Sequence, residues 1–369
     1  MNNRGGLDFG SDDTCRSSGN ARVARSAVPD VKKIGFLSFG HWHPSPQSGT
    51  RSGRDALVQS IELAVAGEEI GLDGAYFRVH HFARQLASPF PLLAAIGART
   101  SRIEIGTGVI DMRYENPLYM AEDAAAADLI SAHAGGEGRL QLGLSRGSPE
   151  TALNGAHAFG FVPPEGRTDA DMARAKTQLF RNAIAGAGAA PADPKMTGSS
   201  GLLPIQPQAP GLADRIWWGA GTRATAVWAA EQGMNLMSST LLTEDTGVPF
   251  DELQAEQIAL YREAWAKAGW EREPRVSVSR SVLPITTDED RGYFGERSEE
   301  DQVGILDGAR SRFGRSYVGE PDRIAAELAQ DAAVQAADTV LVTVPNQLGV
   351  AFNTRMLETI VRDIRPALS

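Results

Sequence analysis

RIEIGTGVIDMRYENPLYMAEDAAAADLISAHAGGEGRLQLGL, residues 102–144, holds two short apolar runs around one long Ala-rich segment. The first run, RIEIGTGV over 102–109, and the last, RLQLGL over 139–144, have strand length and are apolar rather than cleanly alternating. Between them, 117–130 (PLYMAEDAAAADLI) opens on Pro117, which suits a helix start because the missing N–H would have no partner there. The spacing predicts a strand, a helix and a strand. A helical crossover between two such strands joins parallel neighbours, and parallel strands are buried on both faces.

The same rhythm repeats on either side. Upstream, strands are predicted at 33–39 (KIGFLSF) and 73–79, with helices at 55–71 and 89–100. In the first of these helices Leu57, Ile61, Ala64 and Val65 share a face, and Gly71 ends it. Downstream, a helix at 168–185 completes the fourth unit, and a Gly-, Ala- and Pro-rich excursion follows at 186–213. Four more units come after it, with strands at 215–218, 235–238, 275–283 and 338–344 and helices at 222–233, 249–268, 321–335 and 351–364. Eight strand–helix units predict an α/β fold, a (β/α)8 TIM barrel with insertions, spanning 33–369. An open, doubly wound sheet uses the same alternation and is the competing arrangement.

Residues 1–32 break with this pattern. They are rich in Gly, Ser, Asn, Asp and Arg, without an apolar period, and are expected to form a disordered N-terminal arm. Arg4, Arg16, Arg22 and Arg25 do not make a secretory signal, because no apolar core segment accompanies them. The one cysteine, Cys15, cannot form an internal disulfide. No run of eighteen apolar residues occurs, so no membrane partner is expected, and the location expected is the cytoplasm. A net charge of −10 argues against nucleic acid as a partner, since a polyphosphate wants a basic face.

In a barrel, function gathers at the carboxyl ends of the strands. Those ends hold His41-Trp42-His43, His80-His81, Gly106-Thr107-Gly108-Val109, Ser145-Arg146-Gly147 and Gly219-Ala220-Gly221-Thr222. His41 and His43 could be half of a metal site. All six histidines lie at or before His157, however, so strands five to eight supply no further imidazole, and no metal is expected. The pair is read instead as pocket rim. Gly219 to Ala224 fits G-x-G-x-x-A, but it sits in the fifth unit, and Ser238 to Leu241, about twenty positions on, offers no clear acidic candidate to hold a ribose. What survives is a Gly-rich turn at a helix start, with the hydroxyls of Thr222 and Thr225, suited to one phosphate. Arg146 can close that cradle with a charge-assisted fork. Neighbouring strand residues point to opposite sides, so within a regular strand His80 and His81 cannot both face the same ligand.

At this point the chain resembles the bacterial luciferase-like flavin monooxygenases, and within them an FMN-dependent branch. The resemblance rests on Val79-His80-His81-Phe82, Ala87-Ser88-Pro89, Ala98-Arg99-Thr100-Ser101-Arg102-Ile103, Gly106-Thr107-Gly108-Val109, Asn116-Pro117, Asp128-Leu129-Ile130-Ser131 and Gly143-Leu144-Ser145-Arg146-Gly147, in that order. It implies FMN, reduced by a separate NAD(P)H flavin reductase, with O2 as co-substrate, acting on a small organic molecule. It implies a catalytic role for His80 near the flavin, where an unperturbed imidazole would pass protons either way near neutral pH. It also implies a non-prolyl cis peptide at Gly108–Val109 beneath the ring, and phosphate contacts from Arg146, Gly221, Thr222 and Thr225. Trp42, His43, His81 and Phe82 are expected to line the substrate pocket. A homodimer is expected by analogy. Two departures stand out: Val79 replaces a glutamate often found before the two histidines, and residues 132–137 lengthen the loop into the fourth strand. The polar stretch 286–319 is a candidate lid. A deazaflavin-dependent oxidoreductase on the same fold, or a non-catalytic flavin-binding barrel, remains open as an alternative.

Overall fold

The computed structural model describes residues 32–133, 135–147, 152–244, 246–295, 300–306 and 309–368. The expected arm at 1–32 lies outside the described residues except for Lys32, whose Nζ donates to the carbonyls of Gln335 (2.9 Å) and Ala337 (2.8 Å).

Eight parallel strands run β1 (Lys33–Ser38), β2 (Gly74–Phe77), β3 (Glu104–Asp111), β4 (Leu140–Ser145), β5 (Ile216–Ala220), β6 (Asn235–Ser238), β7 (Val276–Pro284) and β8 (Thr339–Val344). Each pairs with the next in sequence, β8 returns to pair with β1, and the sheet closes. An open sheet would leave two strands with free edges, so the β8–β1 pairing excludes the doubly wound alternative. Each strand is followed by a helix: α1 (Gly53–Glu69), α2 (Pro89–Gly97), α3 (Pro117–Ser131), α4 (Asp169–Ile184), α5 (Arg223–Glu231), α6 (Phe250–Ala268), α7 (Pro321–Leu328) and α8 (Gly349–Thr359). Their starts are chemically marked. Ser52, Thr168 and Thr222 each close a reciprocal capping box with the residue three positions on, and Asn116 caps α3 ahead of Pro117. None of the described helices is long and apolar enough to cross a membrane.

The barrel interior is a small cluster of its own, built on Leu37, Tyr76, Trp217, Met237 and Leu341. Its amino-terminal mouth is plugged by charge. Glu104 accepts from Lys33 Nζ (2.7 Å), Arg275 Nη2 (2.9 Å) and Tyr76 Oη (3.1 Å), and the Arg275 guanidinium lies 4.9 Å from the Trp217 ring centre. Gly106 makes room for this layer: a Cβ there would stand 2.2 Å from the Gln141 carbonyl and 2.9 Å from the Tyr76 ring. With that end closed, only the carboxyl ends can open to a ligand.

Three elements differ from expectation. The helix predicted over 321–335 is broken: α7 ends at Leu328, and Asp331 caps a separate turn, Ala332–Ala336. The cause is Arg280 on β7, which binds the Asp331 carboxylate through Nε (2.6 Å) and Nη2 (2.9 Å) in a fully buried pair. The excursion at 186–213 contains a hairpin, Gly188–Pro191 against Leu202–Pro204. The stretch 286–319 contains a helix (Asp288–Phe294), a hairpin (Gln302–Leu306 with Ala309–Phe313) and a strand (Ser316–Gly319) that lies parallel on the end of β7. The hairpin also pairs with Leu241–Leu242, just after β6.

Candidate active site

A cavity of about 420 Å³ opens at the carboxyl ends of the strands, within the range of small-molecule and cofactor sites. Its apolar floor is Leu37, Val109, Trp218, Met237 and Leu341, contributed by five different strands. His80, His81, Gly108, Val109, Arg146, Gly221, Thr222 and Thr225 all line this single cavity. Trp42, His43 and Phe82 stand outside its lining. β1 stops at Ser38, and the chain turns away at Gly40 (φ 60°). The Trp42 amide then donates to the Arg84 carbonyl (3.2 Å) and the His43 amide to the Thr50 carbonyl (3.0 Å), which carries both residues off the barrel axis. His41 stacks on Phe39 instead, with ring centres 5.6 Å apart.

The two adjacent histidines both reach the cavity, because the alternation argument needs a strand and β2 ends at Phe77. The Arg78 amide makes the last bond toward β1, to the Ser38 carbonyl (2.9 Å), and the His80 amide turns to the Leu86 carbonyl (2.9 Å). Burial, followed by the nearby charges of Arg78, His41 and His81, pushes the His80 imidazole down to about 4. At neutral pH it is therefore an uncharged acceptor, and not the near-neutral shuttle that an unperturbed histidine would be. The His81 ring stacks on Tyr114, 4.1 Å away and tilted by 17°. Asp111, which sequence reasoning missed, also lines the cavity, and Arg113 clamps its carboxylate through Nε (3.0 and 3.1 Å) and Nη2 (2.6 Å).

At the other end, β5 runs into Gly221 and the α5 cap. Thr222 Oγ1 accepts from the Thr225 amide (3.2 Å), Thr225 Oγ1 accepts from the Thr222 amide (3.3 Å), and the two hydroxyls are 3.0 Å apart. Three arginines stand near this turn, and their partners separate them. Arg223 is bound to Glu244 (3.2 Å) and Glu256 (2.9 Å), so its charge is spent. Arg146 and Arg174 both line the cavity, and neither has a carboxylate within ion-pair distance among the described residues. Arg174 reaches over from α4 and rests on the Trp228 ring, 4.9 Å from its centre. Sequence reasoning missed it, since nothing in the helix pattern separates Arg174 from Arg167 or Arg181. Its one signal is Ala170, a turn earlier on the same face and also in the lining.

The peptide between Gly108 and Val109 is cis, and the β3–β4 register slips between Thr107 and Ile110. The backbones pack closely here: a Cβ on Gly143 would lie 2.4 Å from the Thr107 carbonyl and 3.0 Å from a Val109 methyl.

Several solved structures share the fold. The oxygenating constituent of the 3,6-diketocamphane monooxygenase of Pseudomonas putida, in complex with FMN, superposes with a TM-score of 0.66 at 17% identity over 91% of this chain and 98% of that one. The coenzyme F420-dependent tetrahydromethanopterin reductase of Methanopyrus kandleri superposes at 0.60 with 15% identity, over 92% of this chain and 99% of its own. Among curated sequences, the 4-hydroxyprotoasukamycin monooxygenase of Streptomyces nodosus subsp. asukaensis is 32% identical over 140 residues, 37% of this chain and 34% of that protein. The chain spans about a third of the length of the first curated relatives it matches. The family profile described as luciferase-like monooxygenase matches residues 35–292, and the chain belongs to that family.

Proposed function

We propose that the protein is the oxygenase of a two-component FMN-dependent monooxygenase, fed reduced flavin by a separate NAD(P)H-dependent reductase and acting on a small organic substrate. The observation that carries this reading is the pairing of two arginines, Arg146 and Arg174, with the Thr222–Thr225 cap at one end of a cavity whose other end holds His80. A terminal phosphate monoester carries close to two negative charges at neutral pH, and two guanidinium groups without carboxylate partners among the described residues match it. The apolar floor of Leu37, Val109, Trp218, Met237 and Leu341 offers a surface for a flat ring system, so the residues present fit FMN. Reduced flavin supplies the electrons that activate dioxygen.

The chain's own part is to bind, orient, keep water out and hold a proton acceptor in place. Arg146, Arg174, Gly221, Thr222 and Thr225 hold the phosphate. Leu37, Met237 and Leu341, buried in the barrel interior, exclude water from the ring. His80, neutral above about pH 4, accepts a hydrogen bond at its ring nitrogen. His81, held flat against Tyr114, forms the side wall.

The second reading is a deazaflavin-dependent oxidoreductase, favoured by the Methanopyrus kandleri reductase among the fold neighbours and by the F420-dependent glucose-6-phosphate dehydrogenase of Kribbella flavida among the relatives. Absorbance and fluorescence titrations of the purified protein with FMN and with a deazaflavin separate the two. Tighter binding of the deazaflavin would replace the first reading with the second.

A further inference from the structure

We propose that the turn at the end of β3, Asp111 to Arg113, is the positioning element of the cradle: one ion pair holds the carriers of Arg146 and Arg174 and aims both side chains into the same cavity. The inference rests on the phosphate reading above and names the residues on which that reading depends. Its starting point is a misfit of charge. Asp111 lines the cavity in which a doubly charged phosphate is to bind, and a carboxylate there repels such a ligand. That carboxylate is turned onto Arg113, whose Nε (3.1 Å) and Nη2 (2.6 Å) close a fork on it and whose amide donates to Oδ1 (3.0 Å).

From this pair one path of contacts runs to Arg146. Asp111 stands opposite Ser145 in the β3–β4 register, and the Met112 amide donates to the Ser145 carbonyl (3.0 Å). Ser145 Oγ in turn accepts from the Gly147 amide (2.8 Å). Gly147, at φ 95°, packs directly on the ion pair: a Cβ there would stand 1.9 Å from Asp111 Oδ2 and 2.7 Å from Arg113 Nη2. Arg146 is thus flanked on both sides by residues that the turn fixes. The other path runs to Arg174. Arg113 Nη1 lies 3.7 Å from the Asp169 carboxylate at the start of α4, and the Arg113 carbonyl accepts from Lys176 Nζ (2.7 Å). Asp169 and Lys176 lie about two turns apart on one stripe of α4. Held at both points, the helix has a fixed rotation as well as a fixed place, and its neighbouring stripe of Ala170 and Arg174 faces the cavity. The Trp228 ring then supports the Arg174 guanidinium, 4.9 Å from its centre.

Charge alone and positioning predict opposite signs for one substitution. Neutralising Asp111 removes a negative charge from the site and releases Arg113, which by Coulomb attraction alone strengthens the binding of a dianion. Loosening Arg146 and Arg174 weakens it. The readout is the ratio of riboflavin to FMN dissociation constants, measured by fluorescence quenching on the full chain at fixed ionic strength. Asp111→Asn should lower that ratio by about fivefold or more, a partial loss of two charge-assisted contacts. Asp169→Asn also removes a negative charge, outside the cavity lining, and should lower the ratio by about two- to threefold. It carries the test should Asp111→Asn lose its native circular dichroism. In an Arg146→Ala, Arg174→Ala background neither substitution should change the ratio, since both act through those two side chains. A ratio that holds or rises in Asp111→Asn and Asp169→Asn would overturn the inference, and so would a fall of the same size in the background lacking both arginines. Equal wild-type affinity for the two flavins sinks the phosphate reading and this inference with it; a wild-type preference for FMN that survives the substitutions sinks this inference alone.

Discussion

Acidification should reveal His80 as a destabilised cation. In the unfolded chain its imidazole titrates near 6.5, whereas burial and the charges of Arg78, His41 and His81 hold it at about 4 in the folded protein. Between those values the unfolded state binds more protons than the native one. Stability therefore rises with pH through this window and is lost as pH falls from about 6.5 towards about 4. The full gap would correspond to roughly 3 kcal/mol, but His80 is only partly buried and water screens it, so about 1–2 kcal/mol is the reasonable scale. Urea unfolding of the wild type and of His80→Gln at pH 7, 5.5 and 4.5 isolates the contribution. The two proteins should differ little in slope above pH 6.5, and the wild type should lose about 1 kcal/mol more than the variant by pH 4.5. The ring proton signal of His80, identified by its absence in the variant, should titrate well below 6. Parallel stability curves with a His80 titration at or above 6.5 would refute both the burial argument and the assignment of a neutral acceptor at neutral pH.

Removing Arg146 or Arg174 from the proposed cradle should weaken phosphate recognition selectively. Arg174→Ala should lower FMN affinity by roughly tenfold, the low end for an exposed charge-assisted hydrogen bond, and leave riboflavin unchanged; Arg223→Ala should do far less, because Glu244 and Glu256 already hold that guanidinium. Fluorescence quenching measures both. Glu104→Gln strips Lys33 and Arg275 of their shared carboxylate at the closed end of the barrel and should cost about 2–4 kcal/mol in chemical denaturation without moving FMN affinity. Replacing the hairpin within 302–313 by a short linker should leave the barrel folded but let iodide quench bound flavin more readily, if this segment covers the site; unchanged quenching would return it to a surface role.

The barrel was legible because its evidence is distributed. Each strand is a short apolar run, and the eight runs shift by at most two residues at either end between pattern and structure. The α5 end of the cavity was legible for a local reason: Thr222 and Thr225 sit at the spacing that makes a reciprocal cap, directly after Gly221. The other end was harder. Whether His80 and His81 alternate depends on where β2 stops, and that is decided by the Ser38 and Leu86 carbonyls, which come from elsewhere in the chain. Trp42, His43 and Phe82 fell outside the cavity lining for the same reason, since the path after a strand end is set by tertiary hydrogen bonds that no local pattern encodes. Arg174 on α4 and the turn of Asp111 and Tyr114 at the end of β3 come to one cavity only when the barrel closes. The break at Asp331 needed knowledge of Arg280, fifty-one positions earlier.

The central claim is that this cavity holds a flavin by its terminal phosphate. Its most direct test is the ratio of riboflavin to FMN dissociation constants for the wild-type protein, measured by flavin fluorescence quenching at fixed ionic strength. Arg146, Arg174 and a hydroxyl-lined helix start should make FMN at least about tenfold tighter, and that ratio should shrink as salt screens the guanidinium groups. Equal affinity for riboflavin and FMN, at low salt and at high, would contradict the account.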